Sequence, residues 1–324
     1  MDASTTDRHD EGSNDRLSVA RRADMPRVSP TPAERWAKAR SFHHSSYPAP
    51  RIAAARAERG LSVSVCLPAR ECAGTVGEIV GALAELREAG AIDELVVVDA
   101  ASADGTAVVA ARAGAEVWQE EELLAGWGPV LGKGDAMWRA LSRLRGDLVC
   151  FLDADTEGFS AHFATGLLGP LVCEQGVEFV KAFYRRPFEQ GGVWQGEGGG
   201  RVNHLTARPA LELFYPQLAG VRQPLAGEVA ARRELLERLP FATGYGVEIA
   251  MLIDVWREVG LDAIAQVDLD EHRNHHQPLE ALNPMALTVL ATIARRLERE
   301  GRLSGLGAED GPVERPPLAS VGVT

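Results

Sequence analysis

A chain of 324 residues with 45% hydrophobic and 25% charged side chains has the composition of a soluble globular protein, long enough to bury a sizeable core. Its formal charge of −12 argues against a nucleic-acid partner, which favours a basic surface. No apolar run reaches the roughly 18 residues a membrane span needs, and the N-terminus lacks the apolar region of a signal peptide, so a soluble, cytoplasmic protein is expected.

Residues 1–30 are polar, charged and poor in large apolar side chains, and are expected to form a disordered tail. Thr31-Pro-Ala-Glu-Arg-Trp36 places proline just inside a helix start, and residues 31–60 read as an N-terminal helical arm. Leu61–Pro68 alternates and then turns apolar, as a strand does, and Thr75–Ala89 has a helical pattern. Asp93–Asp99 is a second strand, followed by a short Ala/Val helix, and Ala115–Trp118 a third. A helix runs from Gly132 to about Leu144, and Asp147–Leu152 is a fourth strand. This alternation predicts a parallel α/β sheet with right-handed crossovers. After Asp155 the pattern changes. Val177–Tyr184 reads as a strand, and Gly191–Gly200 as a mobile glycine-rich loop. Arg201–Leu213 is a helix, Gly227–Ala231 a short strand, Val247–Val259 a helix and Ile264–Leu269 the last strand. The 282–300 segment is an amphipathic helix whose apolar stripe suits a homodimer, and 301–324 reads as a flexible tail. The cysteines at 66, 72, 150 and 173 lack metal-ligand spacing and are expected to be reduced thiols.

The chemistry gathers where strands end. Asp153 and Asp155 follow the apolar run Leu148–Leu152, and residues two apart in an extended chain point the same way. Two hard oxygen donors at the carboxyl edge of a sheet suit Mg²⁺ or Mn²⁺, and through it a diphosphate. Glu71 and Asp99 belong at the same edge and suggest a nucleoside pocket. Lys133, between Gly132 and Gly134 at a helix N-terminus, suits an anion. Lys181, Arg185, Arg186, Arg201 and Arg208 bracket the glycine loop and suggest a phosphate or carboxylate site in an otherwise acidic chain. Three of the eight histidines, His272, His275 and His276, follow the last strand, where one can complete a metal site. Glu248 begins a helix after Gly-Tyr-Gly, as a dipole partner or an active-site carboxylate.

Leu67-Pro-Ala-Arg-Glu71, Val98-Asp-Ala-Ala-Ser-Ala-Asp-Gly-Thr106, Gly132-Lys-Gly134 and Leu152-Asp-Ala-Asp155 follow the order seen in GT-A glycosyltransferases. Val180-Lys-Ala-Phe-Tyr-Arg-Arg-Pro187, Gly198-Gly-Gly-Arg-Val202, Gln223-Pro-Leu-Ala-Gly-Glu228 and Gly244-Tyr-Gly-Val-Glu-Ile249 resemble the retaining glucosyl-3-phosphoglycerate and mannosyl-3-phosphoglycerate synthases (glycosyltransferase family 81) across roughly residues 60–285. The resemblance implies a GT-A fold, with 61–156 as the nucleotide-sugar half and 157–300 as the acceptor half. Pro68, Arg70, Glu71 and Asp99 would line the nucleoside pocket, with Lys133 near the diphosphate. Asp153 would contact the nucleotide sugar. Asp155 would ligate the metal, with His272 or His275 as a further ligand. Gly200, Arg201 and Asn203 would hold 3-phosphoglycerate, Glu248 the transferred sugar, and the Leu225 carbonyl would face the anomeric centre. The implied activity is a metal-dependent retaining hexosyltransferase acting on the 2-hydroxyl of 3-phosphoglycerate by front-face attack.

Arg70, Asn203 and Asp99-Ala-Ala-Ser102 depart from the residues common in relatives. These departures lean toward GDP-mannose as donor, with UDP- or GDP-glucose as the alternative. A sugar-phosphate nucleotidyltransferase would need a glycine-rich basic loop after the first strand, which Ala69-Arg-Glu-Cys-Ala-Gly-Thr75 does not supply. A non-catalytic sugar-nucleotide sensor would need no acceptor site.

Overall fold

A computed structural model describes residues 29–190, 193–195, 199–273, 278–304 and 313–322. Most of the expected N-terminal tail, residues 1–28, lies outside them, as do His275, His276 and parts of the glycine loop. In the described N-terminal region, helix α1 (Pro32–Ala39) is closed by a capping box between Thr31 and Glu34. It leads through strand β1 (Ser41–His43) to α2 (Ala49–Arg59). The 31–60 segment thus carries two helices and also supplies an edge strand. Trp36, 4% exposed, anchors it through an Nε1–H bond to the Ile264 carbonyl, 2.9 Å away.

Strands β2 (Val63–Ala69), β3 (Glu94–Asp99), β4 (Glu116–Gln119) and β5 (Leu148–Phe151) alternate with α3 (Val76–Glu88), α4 (Thr106–Ala113) and α5 (Lys133–Leu141). Helix α6 (His162–Cys173) precedes β6 (Phe179–Arg185), and a hairpin, β7 (Phe188–Gln190) with β8 (Val193–Gln195), follows it. The chain continues through α7 (Arg208–Phe214), β9 (Val229–Arg232), α8 (Arg233–Arg238), β10 (Phe241–Ala242), α9 (Val247–Val259), β11 (Ile264–Glu271) and α10 (Asn283–Arg299) to β12 (Glu314–Arg315). One eight-stranded sheet of order β1-β11-β6-β9-β5-β2-β3-β4 is parallel except for β9, which runs antiparallel between β5 and β6. The two expected halves thus share a single sheet.

Alternation along buried strands sends side chains to opposite faces. Val63, Val65 and Leu67 pack with α2, α3 and α6, while Cys66, Val96 and Val98 pack with α5, α7, α8, α9 and α10. All four cysteines are unpaired thiols. The sequence reading missed α6, because Gly166, Gly169 and Pro170 make His162–Cys173 look like a turn. Close packing explains those glycines: a Cβ on Gly169 would lie 2.1 Å from Tyr47 Cγ, and one on Gly166 2.9 Å from His44 Cβ.

The expected flexible C-terminal tail also needs correction. Residues 313–322 return to the body, where β12 pairs antiparallel with β10. Arg315 donates to both carboxylate oxygens of the fully buried Asp135, at 2.7 and 2.6 Å, and Trp138 Nε1 donates to the Pro316 carbonyl at 2.8 Å. No hydrophobic periodicity marks this strap, because an ion pair and a short ladder hold it. Arg315→Ala leaves Asp135 with Arg139 as its one ion-pair partner among the described residues and is expected to cost about 2–3 kcal/mol. A fall in the urea unfolding midpoint measures this, and an unchanged midpoint would show that the strap contributes nothing to the cooperative core.

Candidate active site

The parallel strands all end on one edge, where open α/β sheets bind ligands, and antiparallel β9 starts there. A cavity of about 690 Å³ at this edge is lined by Pro68, Arg70, Lys133, Asp153, Asp155, Gly200, Arg201, Asn203, Leu225 and Glu248. Ten of the residues singled out from sequence thus meet in one cavity. Glu71 and Asp99 are not among its lining residues. Glu71 is exposed, has a left-handed backbone (φ +53°), and uses Oε1 to accept the Ala103 N–H at 2.9 Å. It braces the loop after β3. Asp99 is 1% exposed; its Oδ2 accepts the Ser102 N–H at 3.2 Å, while Oδ1 has no hydrogen-bond partner. A buried acceptor without a partner therefore stands at the end of β3.

Lys133 enters from the first turn of α5 and meets two carboxylates, Asp153 Oδ1 at 2.5 Å and Glu248 Oε1 at 3.2 Å. Burial opposes its charge, but Asp153 and Glu248 outweigh that and raise its pKa. The backbone is tailored to this approach. A Cβ on Gly134 would fall 2.0 Å from the Ala242 carbonyl oxygen, and one on Gly227 2.4 Å from Asp153 Oδ2. Gly227→Ala must therefore displace Asp153 or Lys133, while the fold has only side-chain ends to move. About a hundredfold lower turnover at nearly wild-type thermal stability is expected, as for a misplaced catalytic group. Steady-state kinetics with a melting curve test this, and full activity would show that Asp153 tolerates displacement.

Asp153, Glu228 and His272 each offer a ligand atom, all within 4.8 Å of one another. His272 is buried, with Nε2 3.0 Å from Glu228 Oε1 and 3.2 Å from Thr156 Oγ1, and its ring stacks on Tyr184 at 4.5 Å. Glu228 Oε1 and His272 Nδ1 have no hydrogen bond of acceptable geometry, a deficit that a cation near the carboxylate relieves. Burial disfavours ionisation of Glu228, yet the His272 and Arg186 charges hold its carboxyl well below the usual range. Burial pushes the Asp155 carboxyl up, the nearby Asp153 charge adds to that, and Lys133 partly offsets it. Carboxylates crowded around one imidazole are a fitting donor set for Mg²⁺ or Mn²⁺. Of the two candidate histidines, His272 stands in this cluster and His275 lies outside the described residues. Glu228 was missed as a possible ligand: nothing in Gln223–Glu228 distinguishes a ligand from a solvated carboxylate before β9 is placed beside β5 and β6.

Elsewhere in the lining, Gly200 has φ +70° and lies against Arg186 and Asn203. It precedes a helical stretch in which Asn203–Ala207 is π-helical, a distortion common at functional sites. Arg186, which also lines the cavity, donates to the Tyr184 hydroxyl at 2.8 Å, and that hydroxyl donates to Glu228 Oε2 at 2.8 Å. Asn203 is 6% exposed, accepting the Leu225 N–H on Oδ1 at 3.3 Å and donating Nδ2 to the Arg222 carbonyl at 3.4 Å. Its amide positions the 222–225 loop as well as lining the cavity. Beneath that loop, Lys181 is 1% exposed and donates to the Ala226 carbonyl at 2.7 Å. Burial pushes its amine down to about 8. Arg185 is exposed and does not line the cavity.

Among the described residues, no helix is long and apolar enough to cross a membrane. Residues 64–158 match the family model described as glycosyl transferase family 2. Over 268 residues the chain is 42% identical to a glucosyl-3-phosphoglycerate synthase of Mycolicibacterium paratuberculosis, covering 82% of this chain and 80% of the relative. Its structure resembles a mannosyl-3-phosphoglycerate synthase from Rubrobacter xylanophilus, with TM-score 0.82 and 47% identity over 89% of this chain and 99% of that one. It also resembles a Mycobacterium tuberculosis glucosyl-3-phosphoglycerate synthase solved with Mn²⁺, uridine diphosphate and glucosyl-3-phosphoglycerate. There the TM-score is 0.75 at 39% identity, over 86% of this chain and 98% of that one. The same synthase has been solved with Mg²⁺ and uridine diphosphate.

Proposed function

The chain belongs to the glucosyl- and mannosyl-3-phosphoglycerate synthase family of GT-A glycosyltransferases, and from that premise we propose that it transfers glucose from a nucleotide diphosphate sugar to the 2-hydroxyl of 3-phosphoglycerate. The observation that carries this reading is a single cavity lined by Lys133, Asp153, Asp155 and Glu248 together with Arg186, Gly200 and Arg201, with Glu228 and His272 grouped around Asp153. The carboxylate and imidazole set suits a metal-bound diphosphate, and the arginines an anionic acceptor. Curated relatives named glucosyl-3-phosphoglycerate synthase favour glucose over the mannose expected from the donor-side departures. A second reading, mannosyl transfer from GDP-mannose, rests on the 47% identity to the Rubrobacter enzyme.

Asp153, Glu228 and His272, with Asp155 beside them, would hold Mg²⁺ or Mn²⁺ in this reading. When bound, the cation supplies a Lewis acid that neutralises charge on the leaving diphosphate. Lys133 would add a second positive charge at the diphosphate end of the donor. Arg201 and the Gly200 backbone hold the acceptor, so that its 2-hydroxyl faces the sugar. Glu248 binds the sugar hydroxyls, and the Leu225 carbonyl, steadied through Asn203, faces the anomeric carbon. Lys133 engages both Asp153 and Glu248, which leaves neither poised as a nucleophile. This supports front-face attack with retention, the acceptor proton passing to the departing phosphate oxygen.

Nucleotide release from UDP-glucose, GDP-glucose and GDP-mannose, each with and without 3-phosphoglycerate, tests the assignment. Release from a glucose donor that depends on 3-phosphoglycerate is expected. Faster use of GDP-mannose would establish the mannosyl reading, and release indifferent to 3-phosphoglycerate would overturn both. Pairing of two copies is supported by the exposed Leu287 and Leu290 on α10 and by the exposed Leu205 on the π-helical turn packed against α10, and light scattering on the purified protein tests it.

A further inference from the structure

We propose a second divalent-metal site, built from His43, His44 and Asp270 at the sheet's edge and separate from the active-site cluster. Each of these residues offers one ligand atom, and the atoms lie within 4.8 Å of one another. His44 Nε2 is 2.7 Å and His43 Nε2 3.3 Å from the two different oxygens of the Asp270 carboxylate. The imidazoles come from the end of β1 and the turn after it, and the carboxylate from the end of β11. The β1–β11 register, Ser41↔Gln266 to His43↔Asp268, brings them to the same edge.

The surroundings hold these groups in place. His44 is pressed against α6, where a Cβ on Gly166 would come 2.9 Å from its own Cβ. The His162 ring lies against His44, with ring centroids 4.2 Å apart. His162 is itself fixed by Nε2, which donates to the Leu269 carbonyl at 3.1 Å. His43 Nδ1 lies 2.8 Å from Ser45 Oγ. Nδ1 also accepts the Ser45 backbone N–H at 3.2 Å, which orients the ring so that Nε2 faces Asp270. Asp270 has a left-handed backbone, φ +65°, and its N–H donates to Asp268 Oδ1 at 3.0 Å.

Two imidazoles and one carboxylate, with solvent access through the exposed His43 and Asp270, select a borderline cation of the Zn²⁺ class, water completing its coordination. A hard Mg²⁺, which prefers oxygen donors and keeps its waters, suits this site poorly. The consequence is structural. β1 is three residues long, and a metal across His43, His44 and Asp270 ties this short edge strand, and with it the N-terminal arm, to the strand that leads to His272.

The test is Zn²⁺ titration of the full-length protein against a chromophoric chelator in saturating Mg²⁺, for the parent, His43→Ala and Asp270→Asn. His43 is solvent-exposed and asparagine tolerates a left-handed backbone, so both variants should fold. The active-site cluster is intact in all three proteins, so a difference in bound Zn²⁺ reports the edge site alone. The parent should bind one more Zn²⁺ per chain than either variant, or each variant should bind that equivalent at least about tenfold more weakly. Zn²⁺ should also raise the parent's melting temperature but not that of His43→Ala, because a ligand that binds only the folded state stabilises it. If either variant binds Zn²⁺ like the parent, the three-ligand site is wrong.

Discussion

Asp155→Ala is expected to lower kcat/KM in saturating Mg²⁺ by about a thousandfold, roughly 4 kcal/mol of lost transition-state stabilisation. Asp153 already has Lys133 as a partner, whereas among the described residues no ion pair neutralises Asp155. Its carboxyl is pushed up by burial and by the Asp153 charge, so its charge is tolerated only at a cost until a cation arrives. The same crowding separates a catalytic role from a structural one. A carboxylate whose folded pKa lies above its unfolded value destabilises the fold once pH exceeds the unfolded value. Removing it should therefore leave the melting temperature at neutral pH unchanged or slightly raised. Kinetics at several Mg²⁺ concentrations with a melting curve check both parts. Wild-type turnover would sink the metal assignment, and a large fall in melting temperature would reassign Asp155 to the fold.

Arg201→Ala is expected to raise KM for 3-phosphoglycerate about thirtyfold, the roughly 2 kcal/mol of a charge-assisted hydrogen bond. KM for the nucleotide sugar should move less than about twofold, well under the same energy scale. The split follows from placement. Arg201 lines the cavity beside Gly200, while Lys133, Asp153 and Asp155 enter from α5 and the end of β5. Arg186 also lines this wall, but its Nη2 is bonded to the Tyr184 hydroxyl and its guanidinium lies 5.0 Å over that ring. It is therefore held back to shape the wall, and it should not replace Arg201. Initial rates with each substrate varied in turn measure the split. Equal increases in both constants would place Arg201 in general folding of the cavity rather than at the acceptor.

Several departures from the sequence reading share one physical cause, which is that local pattern reports a local environment. Period-two alternation over Leu61–Pro68 and helical spacing over Val247–Val259 record which face is buried, so those elements sit within a residue or two of their expected bounds. Helix α6 hides its periodicity because two glycines and a proline serve a neighbour, Tyr47 and His44 needing the space a Cβ would fill. Arg315 carries no pattern at all, since a strap held by an ion pair to Asp135 needs only one correct side chain. Glu71 follows the expected motif, yet its carboxylate bonds to the Ala103 backbone rather than lining the cavity.

The parallel pairing expected of β2 to β5, the carboxylates after β5, the lysine opening α5 and the Gly200–Arg201 pair could be read from the chain alone. Each of these depends on hydrophobic period or on residues adjacent in the chain. Only the tertiary structure decided that β9 runs antiparallel between β5 and β6, which carries Glu228 to Asp153. It likewise decided that the end of β11 delivers His272 to the same spot, and that Asn203 holds the loop bearing Leu225. Those contacts join segments far apart in the chain, and the buried packing of neighbouring strands, which no local pattern encodes, sets their distances.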